Sequence, residues 1–262
     1  MTASAPPFSP APGAAPRPRM LAAVASHEFR QTLRNGEQLL LTLVIPIVLL
    51  VLFATVDVAD LPGDSRIDYL VPSILALAIM STAFTSQAIG TAFERRYGVL
   101  KRLGATPLPR WALLSGKGSA TAAVLLVQAA AIVAVGATLG WSPQLVASDL
   151  PAILALVVLG AAAFSGLAFL MAGTLRAEAV LGGANLVYLL FLVTGGVIFP
   201  LSAFPDRVAA VLEYLPLTAL AEGLRVATTG AGGVPGQVWL VLVAWAVAGL
   251  AAAAAAFRWE QT

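Results

Sequence analysis

Few residues in this chain are of a type and spacing that could do chemistry. A single His, His27, and the absence of Cys rule out a multi-His or thiolate metal site, a disulfide framework and a thiol nucleophile. The string Gly116, Lys117, Gly118, Ser119 has the residue types of a phosphate-binding loop. That motif, however, needs a Gly five residues before the first of these and a Ser or Thr directly after the Lys, where Trp111 and Gly118 stand. Lys117 reads instead as a cation snorkelling from the start of an apolar run. No Ser with a base, no metal-ligand cluster and no paired carboxylates fall within reach of one another inside the apolar segments. The chain is therefore not expected to be an enzyme or to bind a cofactor. Energy for uphill movement of a cargo would come from another chain.

The elements that hold these residues are set by composition. Of 262 residues, 59% are hydrophobic and only 11% charged, with a mean hydropathy of +0.90. Soluble domains carry about 25% charged residues, so much of this surface faces lipid. The 15 basic and 13 acidic residues leave +2, too small and too dispersed for a nucleic-acid-binding face. Residues 1–19 hold six prolines and read as a disordered cytoplasmic tail. Arg17 and Arg19 lead into a segment with His27, Glu28, Arg30 and Arg34 rather than into an apolar core, so no cleaved signal is expected.

Six apolar runs follow, at about 39–56, 69–93, 118–139, 150–175, 179–199 and 237–257. Each approaches or exceeds the roughly 20 residues a helix needs to cross the hydrocarbon layer. Pro46, inside the first, would kink it and free one carbonyl for a neighbouring helix to satisfy. With both termini cytoplasmic, twelve of the 15 Lys and Arg lie inside and only Arg66, Arg207 and Arg225 outside. The predicted fold is an all-α, multi-pass protein of the cytoplasmic (inner) membrane. None of the runs contains Asp, Glu, Lys, Arg or His, which argues against an ion-coupled pump. Their polar residues include Thr85, Gln87, Gln128, Asn185 and Thr194, suited to hydrogen bonds between helices or to lining a substrate path. Gly136 and Gly140 stand at a small-residue spacing that favours close helix packing.

Two elements lie on the cytoplasmic side. Residues 20–37 place Leu21, Phe29 and Leu33 on one arc and Arg30 and Arg34 on the other, the pattern of an amphipathic elbow in the headgroup plane. The loop 94–110 begins with Glu94, Arg95 and Arg96, then offers Val99, Leu100 and Leu103 with Lys101 and Arg102. Such a short amphipathic helix between two spans suits docking onto a cytoplasmic protein. The same charges serve equally to keep the loop inside.

Taken together, the chain after residue 20 resembles the membrane subunit of a type 2 ABC exporter, the ABC-2 permease family that includes daunorubicin-resistance permeases. The resemblance is carried by the elbow, by Glu94 and Arg95 with Thr106, Pro107 and Leu108 after the second run, and by the region between the last two. There Gly195, Gly196, Val197, Ile198, Phe199 and Pro200 precede Phe204 and Pro205, then Leu215, Pro216 and Leu217, then Gly223, Leu224 and Arg225. The resemblance implies a half-transporter that pairs with a second permease chain, identical or not, and binds an ATP-hydrolysing subunit through the elbow and the 94–103 loop. ATP and Mg would sit on that partner. It also implies that residues 200–229, with Pro200, Pro205 and Pro216, form an extracellular re-entrant hairpin between spans 5 and 6. Glu222 and Arg225, three apart on one helical face, would satisfy each other there. The expected activity is export of an amphipathic drug or lipid, a drug-resistance type of efflux. Export of a polysaccharide or glycolipid is the alternative within the family, and a non-transporting membrane interaction protein the alternative outside it.

Overall fold

The computed structural model describes residues 36–56, 61–62, 65–104, 110–230 and 232–257, with isolated positions before residue 36. Among the described residues the chain is helical, with no strand. The helices are α1 (Gly36–Thr55), α2 (Arg66–Met80), a π-helical segment Ser81–Ser86, α3 (Gln87–Arg96), α4 (Val99–Gly104), α5 (Arg110–Thr138), α6 (Leu150–Thr174), α7 (Ala177–Thr194), α8 (Asp206–Leu212), α9 (Pro216–Thr229) and α10 (Gly236–Ala256). Five continuous helical stretches are long and apolar enough to cross a membrane: Arg66–Arg96, Gly118–Thr138, Ala147–Thr174, Ala177–Thr194 and Gly236–Ala256. The chain is therefore a multi-pass membrane protein. Among the described residues a shorter apolar helix, Thr42–Thr55, lies within α1. The elbow residues Leu21, Phe29, Leu33 and Arg34 lie outside the described residues, while Arg30 is helical and exposed.

Local sequence explains where the helices begin and end. Prolines open several: Pro205 precedes α8, Pro216 is the first residue of α9 and Pro235 precedes α10, positions where a missing N–H leaves no bond unmade. The run expected to continue to residue 199 stops as a helix at Thr194, because Gly195 and Gly196 break it and 195–199 continue as irregular backbone. The expected close-packing pair on α5 divides its labour. Gly136 faces α2, where a Cβ would stand 2.9 Å from Val71 Cγ2. Gly140 instead ends the helix at φ 95°, and the Trp141 N–H closes back on the Gly136 carbonyl at 2.9 Å.

The long Arg66–Arg96 element is the most enclosed, with Leu70, Val71, Ile74, Leu77, Met80, Ala83, Ala88 and Ala92 all buried. Its two halves have different neighbours. The α2 half lies against α1, α5 and α9, and the α3 half against α6 and α7, with the wider π turns between them. The closest helix crossing joins α6 and α10, where a Cβ on Gly166 would stand 2.6 Å from the backbone of Gly249 and Leu250. Helix α9 is about 21 Å long at 1.5 Å per residue, too short to span, yet it is enclosed by α2, α6 and α10. Its Leu217, Leu220 and Leu224 are fully buried, and Gly160 leaves the space that Leu220 fills. The outer surface is apolar: Val48, Leu126, Leu154, Leu186, Leu240 and Val247 all face outward, as lipid-facing helices require.

Candidate functional site

Three groups of polar side chains tie the helices together, one at each end of the Arg66–Arg96 element and one at its middle. At one end α3 closes with Glu94, Arg95 and Arg96, and the chain turns through Tyr97 and Gly98 into α4. Gly98 holds φ 71°, a left-handed turn that a side chain would strain. Arg95 is turned inward and buried, and its guanidinium donates to the carbonyls of Gly173 and Leu175 at the end of α6. Those are carbonyls that a helix terminus leaves without intrahelical partners, at the negative end of its dipole. Arg96 is exposed and pairs with Glu178 in the first turn of α7, lying also over the Phe93 ring, 6.0 Å from its centre. The α6–α7 link is just Leu175 and Arg176, both extended.

Past this grip, Tyr97, Val99, Lys101 and Arg102 are exposed. Of the residues proposed from sequence for docking, the structure thus faces Arg96, Val99, Lys101 and Arg102 outward and Arg95 into the bundle, with Glu94 half-buried. Leu100 and Leu103 are helical, and their side chains lie outside the described set. The Gly116–Ser119 string lies within continuous helix α5 rather than in a loop.

At the middle, Gln128 of α5 is fully enclosed. Its Nε2 donates to the Thr42 carbonyl of α1 at 2.8 Å, and its Oε1 accepts from Thr82 Oγ1 of the π segment at 2.7 Å. The bond to residue 42 has a specific cause. Pro46, four residues on, has no N–H to give that carbonyl. Gln87 Nε2 donates to Thr121 Oγ1, joining α3 to α5. Thr85 Oγ1 and Gln87 Oε1 are enclosed with no hydrogen-bond partner among the described residues. Asn185 and Thr194, on α7, each donate to a carbonyl four residues back on their own helix, and neither joins the Gln128 group.

At the other end Arg225 of α9 is the hub. Its guanidinium donates to Glu222 Oε2 (2.7 and 3.2 Å), Ser73 Oγ (2.8 Å) and the Gly196 carbonyl (3.0 Å), and lies 4.4 Å from the centre of the Tyr69 ring. Tyr69 donates to the same Gly196 carbonyl at 2.6 Å. Glu222 and Arg225 are thus paired as their spacing suggested, and the pair is one part of a larger network. Nearby, Arg66 donates at 2.6 Å to the carbonyls of Phe53 and Val56, closing the end of α1. Trp245 Nε1 of α10 donates to the Tyr214 carbonyl after α8 at 2.8 Å. Pro200 is buried at the start of a short turn, and Pro205 and Pro216 open α8 and α9.

Sequence reasoning did not single out Arg66, Tyr69, Ser73 or Glu178. A signal existed for Arg66, since it is one of only three basic residues that the charge count places outside. Tyr69 and Ser73 carry no such mark.

The family model of ABC-2 type transporters matches residues 20–228. A Bacillus subtilis (strain 168) protein described as a candidate transport permease, YvfS, is 24% identical over 194 residues, covering 72% of this chain and 77% of that protein.

Proposed function

The chain belongs to the ABC-2 type transporter family, and within it we propose that it is the membrane subunit of an ATP-driven exporter moving an amphipathic drug or lipid outward. In this reading α1 is the first of six spans. The end carrying Arg95, Arg96, Lys101, Arg102 and Arg176 faces the cytoplasm with both termini, and the Arg225 end faces out. Helices α8 and α9 form the re-entrant hairpin, since an enclosed helix too short to span needs protein around its ends at that depth. The elbow and α4 receive a separate ATPase that carries ATP and Mg. A second permease chain completes the pathway, along which Thr85 and Gln87, with unused polar atoms, and Asn185 and Thr194 offer contacts to cargo.

The observation that carries this reading is α4 and the turn before it: Tyr97, then Val99, Lys101 and Arg102 of the short helix, all exposed just after an arginine pair fixed to two other helices. An outward surface on a rigid mount is what a partner's movement requires. The test is to purify the tagged chain from membranes in a gentle detergent, identify stoichiometric partners by mass spectrometry and assay the complex for ATP hydrolysis. A nucleotide-binding subunit at equal stoichiometry, with ATPase activity, supports the exporter. Its absence favours a membrane interaction protein without transport. Vesicles that move glycan or glycolipid and no amphipathic dye would redirect the cargo assignment within the family.

A further inference from the structure

Resting on the proposed function, we infer that Arg95 and Arg96 are positioning residues. Together they staple the cytoplasmic end of α3 to the α6–α7 turn, so that a displacement of α4 by the ATPase is delivered directly to α7. Adjacent arginines grip opposite sides of one two-residue link. Arg95 holds the last carbonyls of α6, and Arg96 holds Glu178 in the first turn of α7. The planar fork of Arg suits two carbonyls at once, which the point charge of Lys does not. Burial of Arg95 among apolar neighbours makes those bonds hard to exchange for water.

Helix α7 is placed to depend on this staple. Only Ala177, Val180 and Ala184 of its side chains are buried, all toward its cytoplasmic half, and its main neighbours are α3 and the π segment. Its other half is held by Phe191, edge-on to Phe164 of α6, and, just past Thr194, by Tyr69 and Arg225 on the Gly196 carbonyl. It is therefore the half of α7 next to the staple that follows α3. The α2 half of the second span is fastened at its far end by Arg66, Tyr69 and Arg225. Movement entering at α4 therefore meets a compliant helix end on one side of the π segment and an anchored helix on the other.

The competing role for Arg96 is direct contact with the ATPase, and a charge swap separates the two. The chain has no Cys, so a bimane fluorophore on Leu181→Cys, exposed on the half of α7 next to the staple, reports that helix end alone. The complex with its ATPase, in nanodiscs, is trapped with ATP and vanadate, and ATPase binding is scored separately by co-purification. The staple predicts that Arg96→Glu shrinks the nucleotide-driven emission change by up to about fivefold, the upper end for an exposed ion pair. Arg96→Glu/Glu178→Arg should restore it, and Arg95→Lys should shrink it while the ATPase stays bound. An unchanged emission response in Arg96→Glu overturns the staple. So does a loss, of the response or of ATPase binding, that Glu178→Arg fails to recover, which would make Arg96 a partner contact. A native chain that recruits no ATPase overturns the proposed function itself, and the staple as a transmission device with it.

Discussion

Replacing Gln128 by Leu should destabilise the bundle by an amount that depends on whether residue 46 is proline. In the native chain Gln128 Nε2 serves the Thr42 carbonyl at 2.8 Å, which Pro46 cannot serve, and Gln128 itself is only 2% exposed. Removing the donor of a buried carbonyl costs about 1–3 kcal/mol. Losing the acceptor of Thr82 Oγ1 adds less, about 0.6 kcal/mol, the average for hydrogen bonds between membrane helices. The Thr82 hydroxyl has a local escape in the carbonyl four residues back, the bond that Ser73 makes on the same helix. Gln128→Leu alone is thus expected to cost about 2 kcal/mol. Pro46→Ala supplies a backbone N–H to residue 42, so in that background only the Thr82 part is lost and the cost falls below about 1 kcal/mol. The coupling of about 1 kcal/mol exceeds the roughly 0.3–0.5 kcal/mol within which independent sites add. Unfolding the four proteins in mixed micelles with increasing SDS, followed by tryptophan fluorescence and circular dichroism, measures all the terms. Additive costs would refute the claim that Gln128 compensates the proline.

Gly166→Ala and Gly182→Ala make the same chemical change on two spans with opposite expectations. A Cβ on Gly166 meets backbone at 2.6 Å whereas one on Gly182 meets nothing within 4 Å, so the first should destabilise by about 1–3 kcal/mol and the second stabilise by about 0.5–1 kcal/mol. Equal SDS midpoints would sink the close crossing of α6 and α10. Arg225→Met removes every tie to Ser73, Gly196 and Glu222 from a side chain only 12% exposed. Hydrogen exchange across 216–229 should therefore rise at least tenfold, while Glu222→Gln, at a side chain 49% exposed, changes it little. Unaltered exchange in Arg225→Met would show that apolar packing alone holds α9. For orientation, Ser202→Cys should react with an impermeant maleimide added outside intact cells and Tyr97→Cys should not; the reverse pattern would invert the topology.

The helical class and most of the long apolar helices were legible because each rests on a local signal, a run of about 20 apolar residues. Helix–helix assignments were not. Gly136 and Gly140 have the spacing of a packing pair, yet only Gly136 packs, because a Gly at the end of a helix is as useful for its positive φ as for its size. The pair that does make the closest crossing, Gly166 and Gly249, lies on different helices more than 80 residues apart, where no spacing rule reaches. Pro46 announced that a carbonyl would be freed and Gln128 that an amide was available. Nothing in the sequence says that the two meet.

The arginines show most clearly what a charge count conceals. Counting assigns Arg95 to the cytoplasmic side and stops there, leaving docking and simple retention equally good accounts of it. The fold gives it a third role, because each long apolar helix ends in carbonyls that lipid cannot satisfy. Arg66 closes the end of α1, Arg95 the end of α6, and Arg225 holds the carbonyl of Gly196 just past α7. Each comes from a different helix than the one it closes, so each is also a cross-link between spans. A long side chain with five donors does this from a helix end without placing a charge at the bilayer centre. Arg207, by contrast, is exposed at the start of α8, and charge alone would not have told it from Arg225. The difference lies in which backbone the helix termini bring within reach, and that is fixed only once the spans are packed.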